Sequence, residues 1–357
     1  MLKPRLLTAF PSLARLAVCL ALAVLGGSIA TWAHLPLGWL IGALAMTAFL
    51  SLRSIEVRIV PYGRELAQGL VGIAAGQRLT PEVAERLLAL MPLMFAATLA
   101  TILFACLQSK LLARLTGVDG RTALFSSLPG GVAEMAVLAD RYNGDPGLVS
   151  VGQFLRILLV TLTIPLIVHL LPREAVHSSI LSLLPGHTGW QLGLLCLIGV
   201  ALGTVFARLR IPNGWLFAGI VVGGGAGLTH LSGSSVPAGA LIGAQVLIGA
   251  ALGARCKPSL LKSGRIFLPL NLAGTAILIA FTVMLAWAID HFSDLGHASL
   301  ILALAPGGIA EMSLVASSMQ LDLLIVVAFH LVRVVLIVLL SMPLMLLFAN
   351  PADSKPR

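Results

Sequence analysis

Pro129-Gly130-Gly131-Val132-Ala133-Glu134-Met135 returns 177 residues later as Pro306-Gly307-Gly308-Ile309-Ala310-Glu311-Met312. Each copy sets a helix breaker and a carboxylate inside a long apolar stretch. Proline removes a helical hydrogen bond and crowds the preceding turn, and two glycines let the backbone bend freely. Segments 121–141 and 298–319 therefore read as pairs of short helices meeting at a break. A duplicated break carrying a duplicated charge at membrane depth is the pattern of a solute-transport site built on internal pseudosymmetry.

The duplication extends outward from the heptapeptide. Pro36-Leu37-Gly38-Trp39-Leu40 pairs with Pro212-Asn213-Gly214-Trp215-Leu216, Gln68 with Gln245, Asp145 with Asp322, and Arg156 with Arg333. The chain thus reads as a first membrane repeat over 1–172, a Pro/Ser/His-rich linker over 173–187, and a second repeat over 188–357. Apolar spans are expected at 12–33, 37–52, 65–77, 88–110 and 147–171. Their counterparts are 188–207, 213–229, 237–254, 266–289 and 322–348. Basic residues Lys3, Arg5 and Arg15 before an apolar run resemble a signal peptide, but 188–207 matches that run inside the chain, which makes it a retained first helix.

Composition bounds the answer. Of 357 residues 58% are hydrophobic and 10% charged, with a mean hydropathy of +1.02. Soluble domains carry about 25% charged residues, so this chain cannot clothe itself in a polar surface. Recurrent apolar runs long enough to cross a bilayer make it an all-α, polytopic membrane protein. A formal net charge of +9 reflects Lys and Arg gathered in cytoplasmic loops rather than a nucleic-acid surface. Cys19, Cys106, Cys196 and Cys256 read as apolar filler without disulfides.

Charge placement arbitrates topology. With the N-terminus inside and both broken segments returning to the face they left, the chain crosses ten times, with two re-entrant hairpins and inverted repeats. Arg53, Arg58, Arg64, Lys110, Arg114, Arg121, Arg208, Arg210, Arg255, Lys257, Lys262, Arg265, Lys355 and Arg357 then face the cytoplasm. If both segments cross instead, the repeats become parallel and the 255–265 cluster moves outside.

Four pairs of positions could carry chemistry. Glu134 and Glu311 lie in the first turn after each break, where free N–H groups favour a negative charge. Capping is worth about 1 kcal/mol, whereas a charge at bilayer depth costs ~2.5–3.5 kcal/mol, so a cation- or proton-binding role is favoured over capping alone. Arg156 and Arg333 are too deep in their helices to snorkel and are expected to meet a carboxylate, with Glu134 and Glu311 the obvious partners; structural pairing and anion binding both stay open. Gln153 and His330 precede the arginines by three residues on nearly the same face, and His330 could relay protons near neutral pH. Gly130, Gly131, Gly307 and Gly308 would expose backbone groups to a solute. Asp145 and Asp322 read as N-caps, the former followed by Pro146 at the favoured position. Gln68 and Gln245 sit among glycines suited to close helix packing. Gly223-Gly224-Gly225 follows no strand and is not a dinucleotide motif, and no cluster has metal-ligand spacing.

With its paired Pro-Gly-Gly-x-Ala-Glu-Met and Gly-Trp-Leu segments and the arginine helices that follow, the chain resembles the AbrB family of bacterial membrane proteins over nearly its full length. Some members carry the label of ammonia monooxygenase, and the family name comes from a proposed role in regulating gene expression. The residues offer no copper or iron ligand set and no soluble DNA-binding module. The expectation is a secondary transporter, not an enzyme, of a small solute, anionic ones included. Duplicated glutamates would couple it to an ion or proton. It needs no cofactor, sits in the bacterial inner membrane with both termini cytoplasmic, and leaves homo-oligomer formation open. Indirect regulation of gene expression is the alternative.

Overall fold

The computed structural model describes residues 12–55, 57–171, 189–209, 211, 213–229, 235–256, 266–293 and 295–348. Among them every regular element is an α-helix. The first half contributes α1 (Ser12–Trp32), α2 (Gly38–Leu52), α3 (Gly63–Gly76), α4 (Pro81–Ala89), α5 (Met91–Thr116), α6 (Gly120–Ser127), α7 (Val132–Arg141) and α8 (Pro146–Leu170). The second contributes α9 (Trp190–Arg208), α10 (Gly214–Leu228), α11 (Ala238–Gly253), α12 (Phe267–Ser293), α13 (His297–Leu304), α14 (Ile309–Ser318) and α15 (Leu323–Phe348). The linker 173–187 and the basic residues Lys257, Lys262 and Arg265 lie outside the described residues.

Six helices, α1, α5, α8, α9, α12 and α15, are long and apolar enough to cross a bilayer, and the protein is a polytopic, all-helical membrane protein. Four expected crossings are shorter. At 15 residues, α2 and α10 reach only about 22 Å against a hydrocarbon core of about 30 Å. α3 has 14 residues and α11 has 16. The helices α2, α3 and α10 each start directly after a residue in the left-handed region, Leu37, Tyr62 and Asn213. That conformation turns the chain sharply, and only the asparagine is a residue type that visits it routinely.

The compact units are not the sequence halves. One comprises residues 1–85, 172–260 and 313–324; the other comprises 86–171, 261–312 and 325–357. Each draws on both halves, and α14 contributes to both units.

The first unit is held by glycine seams. α3 packs on α10, and α2 on α11. A β-carbon on Gly72 would strike the Leu216 carbonyl, and one on Gly249 the Leu40 carbonyl. One turn on, Gly76 meets Ile220 and Gly253 meets Leu44 in the same way. Backbone opposes each glycine, joined at Gly253 by the Thr47 hydroxyl, so no larger residue fits without parting the helices. Beside α3, Arg78 is held below its usual basic range by burial, an effect opposed by Asp322.

The second unit contains α5–α8, α12, α13 and α15. Its core gathers Ile102, Cys106, Leu124, Phe125, Leu128 and Met135 with Ile337 and Leu344. Phe104 of α5 stacks on Phe281 of α12 with ring centroids 4.0 Å apart. Gln108 donates to the Gly274 carbonyl at 2.9 Å, and Asn271 to that of Gly152 at 3.2 Å.

Candidate functional site

Both broken segments fall in the second unit, up to Met312. α6 ends at Ser127 and α7 starts at Val132; α13 ends at Leu304 and α14 starts at Ile309. At eight residues, α6 and α13 are each about 12 Å long and neither crosses a bilayer alone. The entrance to the first segment is tied down by polar side chains. Asp119 accepts from the Thr122 N–H at 2.8 Å and from its hydroxyl at 2.5 Å. The Thr122 oxygen accepts from the Asp145 N–H at 2.7 Å. Asp145 in turn caps α8, accepting from the N–H groups of Gly147 and Leu148, as expected for a residue preceding Pro146.

A helix leaves its last carbonyls unpaired, and at membrane depth each costs several kcal/mol. The arginines answer that cost. The two terminal nitrogens of Arg156 donate to the carbonyls of Leu128 at 2.5 Å and Gly130 at 2.6 Å. Those of Arg333 donate to Ala305 at 2.6 Å and Gly307 at 2.8 Å. Both side chains are buried, 2% and 4% exposed. Each places its charge at the negative end of a half-helix, where a cation is favoured. The expected pairing with Glu134 and Glu311 is not what forms: no carboxylate bonds either guanidinium among the described residues. The reason is geometric. The break presents two carbonyls at a spacing that a planar five-donor fork spans, while each glutamate turns back onto its own half-helix.

That turn explains the motif residue by residue. The carboxylates of Glu134 and Glu311 fold over Gly131 and Gly308 so closely that a β-carbon on either glycine would overlap a carboxylate oxygen. Glu134 is half-buried and Glu311 is 1% exposed. The Met135 side chain covers Gly130, its Sδ 2.7 Å from where a β-carbon would stand. Met312 covers Gly307 with Val160 of α8 beside it, 3.1 and 3.0 Å from the equivalent point. None of these four glycines has a positive φ; among the described glycines only Gly117 and Gly296 do. The sequence argument from backbone freedom thus names the right residues for the wrong reason. They are glycines to make room.

The two halves differ at one polar position. Gln153 Nε2 donates to the carbonyls of Phe125 and Leu128, completing the end of α6. His330, its counterpart, is fully buried, and its ring reaches the Ala303 carbonyl, which leaves at least one ring nitrogen without a partner among the described residues. Arg156 Nε, Arg333 Nε and Gln153 Oε1 are likewise buried without a partner. The guanidinium groups of Arg156 and Arg333 are close enough to repel.

An apolar groove of about 310 Å³ lies within the first unit, lined by Leu66, Gly69, Cys196, Trp215, Gly243 and Leu247. None of the charged pairs contributes to it.

The family described as transition state regulatory protein AbrB matches residues 39–349. A protein of Escherichia coli (strain K12) named "Putative regulator AbrB" is 28% identical over 309 residues, covering 86% of this chain and 88% of its own. One of Bacillus subtilis (strain 168) named "Uncharacterized protein YhjN" is 26% identical over 353 residues, covering 91% and 90%. No solved structure matches the chain.

Proposed function

The chain belongs to the AbrB family, and we propose that it is a secondary transporter of a small anionic solute, a carrier rather than an enzyme. It would work in the bacterial cytoplasmic membrane through two inverted repeats, with both termini cytoplasmic. The observation that carries this reading is the pair of buried guanidinium groups, Arg156 and Arg333. Each holds a broken half-helix together, both lie within repulsive reach of one another, and neither is bonded to a carboxylate. Two uncompensated cations in a low-dielectric interior are costly by themselves. They are the arrangement expected where an anion comes and goes. Broken helices suit this use, since their free backbone groups line a solute path without facing lipid. Glu134 and Glu311, at the positive ends of the second half-helices, are the groups proposed to hold a coupling ion or proton.

The test begins with a solute screen by thermal stabilisation of the purified protein, followed by flux into proteoliposomes. Arg333→Gln and Glu311→Gln, each verified as folded, should lose most of the flux. Movement like wild type in both variants means the site is elsewhere.

A second reading rests on the printed name of the Escherichia coli relative, which calls that protein a regulator. Under it, the chain moves no solute and affects gene expression indirectly, through a partner. A folded but flux-dead Arg333→Gln protein separates the two. It restores expression in a deletion strain only if regulation is independent of transport.

A further inference from the structure

We propose that His330 is the proton-carrying group of this site, taking up one proton as one small oxyanion or carboxylate binds beside Arg156 and Arg333. The proposal rests on the transport reading above and narrows it: the coupling ion is a proton, and it sits on His330 rather than on Glu134 or Glu311. Four observations converge. His330 is fully buried with at most one ring nitrogen bonded, to the Ala303 carbonyl, although a neutral imidazole has both a donor and an acceptor to satisfy. A buried polar group left unmade costs about 1–3 kcal/mol, so the residue is held at an expense that packing does not explain. At the equivalent place in the other half, Gln153 spends its amide on the carbonyls of Phe125 and Leu128. The second half therefore has a solution to that position available and does not use it. Three further buried polar atoms, Arg156 Nε, Arg333 Nε and Gln153 Oε1, are also unpartnered, and two of them are donors suited to an anion.

The charges around the ring set the direction of coupling. Arg333 is on its own helix and acts on it. Arg156 on α8 acts on Arg333. Glu311 on α14 folds back over Gly308. α13 offers the Ala303 carbonyl, with its titratable His297 at the far, N-terminal end. Lys110 of α5 lies over Phe348 at the distant end of α15. An imidazolium beside Arg333 adds a cation to a site already holding two. An anion supplies the missing counter-charge, so proton and anion each favour the other's binding, and by linkage the effect is reciprocal. The Gln153 half has no such group, so one proton accompanies each anion.

His330→Gln tests this directly, because Gln153 shows that a glutamine fits this position in the fold. Purified full-length protein is titrated with sulfate, nitrate and lactate, whose own charges stay constant, at about pH 5.5 and about pH 8. At least one of them should stabilise wild type and bind about tenfold more weakly for each pH unit above the titration of the histidine. His330→Gln should bind the same anion with no dependence on pH, and Arg333→Gln should lose binding. In weak buffer near neutral pH, wild type should take up about one proton per anion bound, a readout that needs no variant. A His330→Gln protein that keeps the wild-type pH slope, or anion binding to wild type without proton uptake, overturns the role of His330 and leaves the anion site standing. If none of the three anions binds wild type at either pH, the anion reading fails together with it.

Discussion

At Gly131 and Gly308 a β-carbon would occupy space already taken by the carboxylate three residues on. Gly131→Ala and Gly308→Ala should therefore destabilise the protein by about 1–3 kcal/mol, the usual range for overpacking. The second change, Glu134→Ala or Glu311→Ala, should relieve part of that loss. Unfolding of single and paired variants in detergent measures the coupling. Strict additivity would show that the glutamate does not lie over the glycine in solution. The arginines give a second prediction at this scale. Lysine at 156 or 333 keeps the charge but is a compact point donor rather than a fork that spans two carbonyls. Arg333→Lys should leave a buried carbonyl unpaired and cost about 1–3 kcal/mol, read as a lower unfolding midpoint, whereas Arg156→Lys should cost less, because the Leu128 carbonyl keeps Gln153 and the Gly130 N–H as donors. Equal stability of Arg333→Lys and wild type would contradict the bonds to Ala305 and Gly307.

Helix pairs carry the next level. In the glycine seams of the first unit the obstacle is backbone, which cannot step aside as a side chain can. Gly76→Ala and Gly249→Ala should be destabilising, whereas Gly225→Ala and Gly239→Ala meet open space. These last two should be neutral or stabilising, up to about 1 kcal/mol from helix propensity. A ranking of the four by thermal unfolding checks the packing of α3 on α10 and of α2 on α11, and a reversed order would refute it. The heptapeptide makes the element-level lesson concrete. Proline and the spacing of apolar residues announced both interruptions, and α6, α7, α13 and α14 stand where the breaks require. The partners of the arginines were hidden, because carbonyls carry no sequence identity and every residue offers one.

At the scale of the molecule, several contacts are reciprocal. Gly72 faces Leu216 and Gly249 faces Leu40; Gly76 faces Ile220 and Gly253 faces Leu44. Phe104 stacks on Phe281, its own counterpart 177 residues on, and Arg156 repels Arg333, again its own counterpart. Within each unit taken by itself, a residue that meets its equivalent, or pairs that swap partners, are the mark of a two-fold relation between the two sequence halves. How such an arrangement lies in the bilayer is tested by labelling. With the four native cysteines replaced, single cysteines go in at Gly120, Gly186 and Leu295. Re-entrant hairpins and inverted repeats expose 120 to the cytoplasm and 186 and 295 to the opposite side. Cytoplasmic labelling of all three would mean that both broken segments cross and the repeats are parallel.

Membrane residence, helical class, the duplicated break and the identity of the charged positions all followed from the order of residues. Each depends on local composition and on periodicity along one chain. Which carbonyls the arginines clasp, why the motif glycines lack side chains, and the interleaving of both halves in each compact unit depended on tertiary structure. Those features arise from groups far apart in the chain meeting in space, and nothing in linear spacing encodes that meeting.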